Sequence, residues 1–310
     1  GELMDQRIRR LVGAVVIIGV ATACSGGSIA SNAPAPSTSA APSAEARDWV
    51  HDIDVGGRTL SLACVGPTDT GRPTVIFESG LGGDRGTWSD VMTALMETDR
   101  GCSYDRAGLG LSEPATKPRT TGDQVDDLHA LIAAAALQPP FIFVGHSSGG
   151  WNVMVYGDRY PDDVSGVVMV DVRPPAFSER SFAALPPKAA NEPEALEQAR
   201  AEPEWEKDPS RNPEGLDLIR SASEATAARG FGDQPLVVLT AGDRAGMSEG
   251  LPAQVAKDLD EIWMELQTGL VGLSTAGRQE IVAGATHDMP FEKPDVIVEA
   301  IKDVMGEVGG

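Results

Sequence analysis

The segment Gly145-His146-Ser147-Ser148-Gly149 places two serine hydroxyls between glycines, after an apolar run and before a stretch with helical spacing. A serine on a sharp turn between a strand and a helix, with side-chain-free neighbours two positions away on either side, is typical of a nucleophile that attacks carbonyl carbons. Gly145 and Gly149 flank Ser147 in this way, whereas His146 stands two positions before Ser148. The spacing therefore predicts Ser147 as the nucleophile; the alternative is an ordinary turn.

A serine hydroxyl needs a base, and the chain has four histidines. His51 lies in the first predicted strand region, His129 lies in a predicted helix, and His146 packs beside the serine turn. His287, in "VAGATHDMP", directly follows the last predicted strand, where a loop can carry an imidazole across the strand ends. We therefore predict His287 as the base, against the alternative of a solvated bystander.

The base needs a carboxylate that orients it and stabilises its charged form. Asp243 ends "VVLTAGD", after the next-to-last predicted strand, and Asp171 ends "GVVMVD", one strand earlier. Chain order and strand placement favour Asp243, with Asp171 as the alternative. Asp288 is adjacent to His287 in sequence and is poorly placed to reach its neighbour's ring.

A tetrahedral intermediate also needs backbone N–H groups that face its negative oxygen. The segment "ESGLGGD" ends an early predicted strand, and its glycines allow the backbone to approach a ligand closely. We predict that the N–H groups of Leu81 and Ser148 form this oxyanion hole. An ordinary glycine-rich loop is the alternative for this segment.

The elements that must position these residues alternate between strands and helices from Trp49 onward. This order is typical of an α/β fold with a largely parallel sheet covered by helices on both faces. Residues 174–233 break the rhythm, since they contain many prolines and acidic residues and two helical fragments. The pattern predicts one domain over residues 48–310, with an inserted helical cap at about 174–233.

Composition excludes some classes of function. The chain has 310 residues, of which 41% are hydrophobic, and a formal net charge of -21. This length accommodates one large α/β domain or two small ones. A duplex backbone repels so negative a surface, so we expect no nucleic-acid partner. No motif indicates a metal or an organic cofactor.

The first residues resemble an export signal. The basic stretch "MDQRIRR" precedes the apolar run "LVGAVVIIGVATA", which has signal-peptide length, and Cys24 follows it. We predict a signal peptide over 1–23, lipidation of Cys24, and a flexible Ser/Ala/Pro-rich tether over 24–47. The protein is then an outward-facing membrane lipoprotein. Ala21-Thr22-Ala23 also suits an ordinary signal peptidase, which would release a secreted protein.

Five segments, taken in order, resemble the α/β-hydrolase superfamily in its esterase-like branch. The resemblance covers about residues 49–310 and rests on "ESGLGG", "YDRAGLGLS", "GHSSGG", "LTAGD" and "GATHDMP". It implies an eight-stranded, mostly parallel sheet flanked by helices, with Asp105 and Arg106 as structural supports of the site. A serine at the turn departs from haloalkane dehalogenases and epoxide hydrolases, which are similar but use an aspartate nucleophile.

The resemblance implies a serine hydrolase that cleaves a small-molecule carboxylic ester through an acyl-enzyme intermediate. Ser147, His287 and Asp243 would form the triad, without a cofactor. The same triad supports acyl transfer, lactone or amide hydrolysis and peroxide-assisted oxidation. A ligand-binding protein that merely keeps the fold is an alternative from a different class.

Cys64 and Cys102 are the cysteines of the body, and in an oxidising exported compartment they are candidates for one disulfide. Two buried free thiols are the alternative. In α/β-hydrolases the strands that carry "LSLACV" and "GCSYD" are usually sheet neighbours. The resemblance therefore implies a Cys64–Cys102 bridge if the two cysteines fall opposite each other.

Overall fold

A computed structural model describes residues 49–308. Strands alternate with helices along most of this range, as the sequence predicts. The strands are β1 (Trp49–Asp54), β2 (Thr59–Val65), β3 (Thr74–Glu78), β4 (Gly101–Tyr104), β5 (Phe141–His146), β6 (Val164–Val170), β7 (Leu236–Ala241) and β8 (Gly277–Val282).

The eight strands form one sheet in the order β1-β2-β4-β3-β5-β6-β7-β8. The pairs β1–β2 and β2–β4 are antiparallel, and the other pairs are parallel. The initial hairpin turns at Gly56 and Gly57, whose φ values of 96° and 99° suit glycine. Because β3, β5, β6, β7 and β8 run parallel, their carboxyl ends lie along the same edge of the sheet.

Helices cover both faces of this sheet. They are α1 (Ser89–Leu95), α2 (Thr121–Ala134), α3 (Gly149–Arg159), α4 (Phe177–Ala183), α5 (Glu194–Glu206), α6 (Leu218–Ala227), α7 (Ala253–Leu270), α8 (Met289–Glu292) and α9 (Pro294–Val308). Helices α1 and α9 pack together on one face, and α2, α3 and α6 pack together on the other. The predicted fold class is confirmed.

Side chains of the central strands alternate between two apolar cores. In β5, Phe141 and Phe143 contribute to the core shared with α2 and α3, whereas Ile142 and Val144 contribute to the core shared with α1 and α9. Successive side chains of a strand point to opposite faces, so a strand covered on both faces is apolar throughout. This burial gives the strand ends a rigid base.

The segment 174–233, which the sequence predicts as a cap, lies between β6 and β7 and contains helices α4, α5 and α6. Helix α6 packs against α2 and α3, while α4 packs against α5 and α7. Two of the predicted helical fragments correspond to α5 and α6. Residues 1–47 of the predicted signal peptide and tether, with Cys24, lie outside the described residues.

Strands β2 and β4 are joined by a disulfide between Cys64 and Cys102. The two residues are direct partners in the antiparallel register, with Cα atoms 4.1 Å apart. Both are buried, so the bridge lies within the core of the sheet. The predicted pairing is confirmed.

Candidate active site

Ser147 occupies a strained turn between β5 and α3. Its φ of 52° is in the left-handed region, which non-glycine residues rarely adopt. A Cβ at Gly145 would lie 2.9 Å from the Cα of Gly150, and one at Gly149 would lie 2.5 Å from the carbonyl oxygen of Glu78. The turn therefore needs glycine two positions before and two positions after Ser147. This is the spacing on which the sequence predicts Ser147, and not Ser148, as the nucleophile.

His287 lies in the loop after β8 and reaches across the strand ends to the serine. Its Nε2 is 3.0 Å from the Oγ of Ser147, which is hydrogen-bond distance. The half-buried imidazole is therefore placed to take the hydroxyl proton, as predicted for a general base.

The carboxylate in contact with His287 belongs to Asp171. Its Oδ2 is 2.7 Å from Nδ1 of His287, and the side chain is fully buried at the carboxyl end of β6. The backbone of Asp171 also has a positive φ, 38°. The residue that the sequence ranked second therefore completes the hydrogen-bonded chain from Ser147 through His287.

The prediction of Asp243 for this position is wrong in geometry. Asp243 follows β7, as predicted, but it is exposed and its Oδ1 accepts a hydrogen bond from the backbone N–H of Ala245. Its backbone N–H donates to the carbonyl oxygen of Ala285, two residues before His287. Asp243 thus supports the histidine loop with its backbone, while its carboxylate caps its own turn.

Three groups around the carboxylate of Asp171 stabilise its charge. Burial works to raise its pKa, but the hydrogen bond and charge of His287, the backbone N–H of Ala241 at 3.1 Å and the charge of Arg244 oppose burial. The result is a pKa below the ordinary value for aspartate. Asp171 is therefore an anion at neutral pH, as a carboxylate that stabilises an imidazolium must be.

His146 has a role that the sequence did not assign. Its Nε2 lies 2.8 Å from the carbonyl oxygen of His287, and since a carbonyl only accepts, this nitrogen donates. Burial, with the nearby His287 charge as a second cause, lowers the pKa of His146 to about 4. A neutral His146 therefore holds the backbone of His287 from within the turn, and its place beside Ser147 is the only signal in the sequence.

The predicted oxyanion hole adjoins the serine. A Cβ at Gly80 would lie 3.1 Å from the Cβ of Ser147, so the loop after β3 packs directly on the turn. Within residues 49–308, the backbone N–H groups of Leu81 and Ser148 donate to no protein acceptor. Both amides are thus free to bind a ligand oxygen, and Ser148 also precedes α3, whose N-terminus favours negative charge.

Arg106 fixes the orientation of this loop. Its guanidinium donates to the carbonyl oxygen of Ser79 at 2.6 Å and to that of Gly80 at 2.7 Å. Because a trans peptide is planar, fixing the oxygen of Gly80 also fixes the opposite direction of the Leu81 N–H. The supporting role that the resemblance implies for Arg106 therefore acts on the peptide of the predicted oxyanion hole.

Glu214, in the segment between α5 and α6, pairs with Arg106 on the far side. It accepts from Nε of Arg106 at 2.7 Å, from Nη2 at 2.8 Å, and from the backbone N–H of Gly82 at 2.8 Å. Burial alone would raise the pKa of Glu214, but the charge and hydrogen bonds of Arg106 lower it. The predicted cap is thereby tied to the loop after β3 by a buried ion pair.

The chain matches one protein-family model over most of its length. A model of the alpha/beta hydrolase family matches residues 75–300, which include the serine turn, the Asp171 strand end and the His287 loop. The chain belongs to the alpha/beta hydrolase family. This hydrolase therefore carries its candidate catalytic residues at the carboxyl ends of β5, β6 and β8.

Individual relatives of this alpha/beta hydrolase are distant. The Bacillus subtilis protein YqjL is 27% identical over 236 residues, a match that covers 74% of this chain and 83% of YqjL. A thermophilic esterase from Thermogutta terrifontis has a TM-score of 0.56 at 19% identity, covering 85% of this chain and 99% of the esterase. A haloalkane dehalogenase variant from Bradyrhizobium elkanii has a TM-score of 0.60 at 16% identity, covering 84% and 97%. At these identities the solved structures show a shared fold.

Two kinds of feature are absent from the described part of the hydrolase. No helix within residues 49–308 is long and apolar enough to cross a membrane. In the same range, no three histidine, cysteine or acidic side chains are grouped so that they could hold a metal ion.

Proposed function

We propose that the protein hydrolyses carboxylic esters through an acyl-enzyme intermediate. The observation that carries the proposal is the continuous contact from Ser147 Oγ to His287 Nε2 at 3.0 Å and from His287 Nδ1 to Asp171 Oδ2 at 2.7 Å. A pure binding protein needs neither a base nor a buried acid behind its serine. Family membership and an esterase among the similar folds support the same reaction class.

In the first half of the reaction, Ser147 Oγ attacks the ester carbonyl carbon while His287 Nε2 takes the hydroxyl proton. The carbonyl π bond becomes a lone pair on oxygen, and the N–H groups of Leu81 and Ser148 stabilise that charge. Asp171 stabilises the imidazolium without itself taking the proton. Collapse of the tetrahedral intermediate breaks the ester C–O bond, and His287 returns the proton to the departing alcohol.

In the second half, a water molecule replaces the alcohol. His287 takes a proton from the water as its oxygen attacks the acyl carbon, and the same two amides stabilise the second oxyanion. The acyl–Oγ bond then breaks, Ser147 recovers its proton from His287, and the carboxylic acid leaves. Both half-reactions use the same three side chains, with Ser147 as the nucleophile in the first and as the leaving group in the second.

The direct test is a series of aryl esters of increasing acyl length, assayed with the wild type and with Ser147→Ala. We expect Ser147→Ala to lose essentially all turnover and labelling by a fluorophosphonate probe while keeping its melting temperature, because the attacking atom is removed but little packing changes. Ser148→Ala is the matched control and should keep its labelling, since only its backbone N–H is used. Labelling of wild type without turnover of any ester would contradict ester hydrolysis and favour another acyl chemistry.

We also propose that the protein is exported and anchored by a lipid on Cys24. Support comes from the basic, apolar and "ATAC" succession and from the Cys64–Cys102 bridge, since disulfides persist in oxidising compartments. Detergent phase partitioning of the expressed protein tests this. We expect the wild type in the detergent phase and Cys24→Ala in the aqueous phase; recovery of both in the aqueous phase would indicate simple release.

A further inference from the structure

The two oxygens of the Asp171 carboxylate have separate partners. Oδ2 faces His287, at 2.7 Å from Nδ1. Oδ1 accepts from the indole Nε1 of Trp263 at 3.2 Å and from the backbone N–H of Ala241 at 3.1 Å. The two donors to Oδ1 therefore fix the plane of the carboxylate, and Oδ2 is directed at the imidazole of His287.

Helix α7 brings the indole to this position. Trp263 is 2% exposed and packs edge-on against Phe177 of the predicted cap and against the ring of His287. Gln267, four residues later on the same helical face, donates from Nε2 to the carbonyl oxygen of Val172 at 2.6 Å. One face of α7 thus holds both the side chain of Asp171 and the backbone just after it.

Arg244 lies over the ring of the indole. Its guanidinium carbon lies 4.1 Å from the centre of the Trp263 ring, a cation–π contact. Nη1 is 3.9 Å from Oδ2 of Asp171, and Nε is 3.4 Å from the carboxylate of Asp260. Both nitrogens are buried and, among the described residues, neither has a hydrogen-bond partner. The guanidinium therefore acts on Asp171 through its charge and not through a hydrogen bond.

We propose that Trp263 and Arg244 are positioning residues of the reaction, which together hold Asp171 as an anion turned toward His287. The expected effect on turnover rests on the proposed function. The expected effect on the Asp171–His287 pair rests on contacts within the protein. The indole N–H of Trp263 donates to Asp171 and the Arg244 guanidinium lies 3.9 Å from it, so both side chains act on Ser147 and His287 through Asp171. Trp263 orients the carboxylate through its N–H, and Arg244 supplies positive charge from a buried position.

The charged groups around the pair determine the expected pH dependence. Arg244 faces Asp171 from the loop after β7, Asp260 faces Arg244 from α7, and His146 faces His287 from the serine turn. Burial alone would raise the pKa of Asp171, but its hydrogen bonds and the charge of Arg244 lower it below the ordinary value for aspartate. Removal of the Arg244 charge or of the Trp263 donor leaves the negative charge of Asp171 less compensated, which favours uptake of a proton by the Asp171–His287 pair. The pair then leaves its active protonation state at a higher pH as the solution is acidified.

The test compares Trp263→Phe and Arg244→Gln with the wild type in pH–rate profiles of aryl ester hydrolysis. We expect the acidic limb of kcat to move upward by about 0.5 to 1 pH unit in each variant, from the loss of one charge or donor at this distance. At the optimum we expect kcat to fall by about 10-fold with little change in KM, because Asp171 is less well oriented. Arg244→Lys keeps the charge and should keep the limb near the wild-type position.

Two matched controls separate positioning from general damage. Arg180→Gln removes an exposed arginine of α4 that pairs with Glu265 of α7. It changes the net charge of the protein by the same amount as Arg244→Gln. Trp88→Phe removes the same ring volume from a buried site, where the indole nitrogen has no partner within residues 49–308. Neither control should move the acidic limb. Melting temperatures of all variants report whether each one is folded.

A readout independent of turnover is the downfield proton resonance of the hydrogen bond between His287 Nδ1 and Asp171, followed by NMR as a function of pH. We expect its transition to move upward in Trp263→Phe and Arg244→Gln and not in the controls. Folded variants whose resonance and acidic limb stay at the wild-type pH, or controls that move equally, would overturn the proposal. Absence of ester turnover with a shifted resonance would overturn the proposed function alone.

Discussion

Ser147, His287 and Asp171 follow three different strands, and backbone hydrogen bonds fix Ser147 and Asp171. The carbonyl oxygen of Ser147 accepts from the N–H of Arg173 at 3.1 Å, and the N–H of Asp171 donates to the carbonyl oxygen of Leu239 at 2.8 Å. Ser147 and Asp171 both have positive φ, which costs about 1 to 3 kcal/mol each in non-glycine residues. At the residue scale, packing around the strand ends holds this strain in place.

Replacement of the two candidate acids should give very different results. We expect Asp171→Asn to lower kcat by about 10³-fold or more, because an amide at this position favours the wrong tautomer of His287. Asp243→Asn should stay within about 3-fold of wild type, since its side chain only accepts from Ala245 N–H. Steady-state kinetics on one aryl ester measure both, and the reverse ranking would assign the acid to Asp243, after β7.

His146 should make the protein less stable in acid. Its pKa is about 4 in the folded state against 6.5 for the free side chain, so the unfolded chain binds the proton first as pH falls. Stability is therefore lost from about pH 6.5 downward, and this group accounts for about 2 kcal/mol between pH 7 and pH 5.

The matched variant is His146→Gln, whose amide can still donate to the carbonyl oxygen of His287 but does not titrate. Urea unfolding of both proteins at pH 7 and pH 5 measures the difference. Between pH 7 and pH 5 we expect the free energy of unfolding to fall by about 2 kcal/mol less in the variant than in the wild type. Equal losses would show that His146 is protonated in the folded state.

At the scale of elements, the loop after β3 depends on partners from two other segments. Arg106, from the loop after β4, holds two of its carbonyl oxygens, and Glu214, from the predicted cap, holds the N–H of Gly82. Glu78 adds a second carboxylate beside Arg106, and burial, as the main cause, raises its pKa. Glu214 is therefore the principal anionic partner of the guanidinium.

Removal of this partner should destabilise the fold strongly. Glu214→Ala leaves Arg106 buried without its bidentate carboxylate, and breaking such a pair costs about 3 to 5 kcal/mol. Glu204→Ala, which removes an exposed carboxylate paired with Lys207, is the control and should cost about 1 kcal/mol or less. Urea unfolding measures both. Equally small losses of unfolding free energy in Glu214→Ala and Glu204→Ala would mean that the loop after β3 does not rely on the Arg106–Glu214 pair.

At the scale of the whole molecule, the sheet is central and the disulfide secures its antiparallel edge. Cys64 and Cys102 are 38 residues apart in sequence, and the loop that they close contains β3 and α1. The bridge therefore restricts the unfolded chain around the segment that carries the predicted oxyanion hole.

Loss of the bridge should lower stability without removing the active site. For a loop of this length the chain-entropy model gives about 3 to 4 kcal/mol. We expect Cys64→Ala/Cys102→Ala to unfold at lower urea by that amount and to keep its kcat at low temperature. Reductant should shift the wild type toward the variant and leave the variant unchanged. An equal effect of reductant on both would argue against the bridge.

The sequence by itself determined the features that depend on local chemistry and on strand order. Ser147 was predictable because a left-handed turn between a strand and a helix requires glycines at fixed distances from it. His287 was predictable because His51 and His129 lie in a predicted strand and a predicted helix and His146 belongs to the serine turn itself, which leaves His287 in a loop after a strand. The alternation of strands and helices likewise predicted the mostly parallel sheet, since apolar strands covered on both faces are easily recognised.

Only the tertiary structure decided between Asp171 and Asp243. Both follow parallel strands that are neighbours in the sheet, so strand order places both carboxylates at the same edge. Their side-chain directions depend on distant residues: Trp263 of α7 donates to Asp171, whereas Asp243 turns back to its own loop. Contacts between segments about ninety residues apart leave no local pattern, because hydrogen-bond geometry is set by packing and not by sequence spacing.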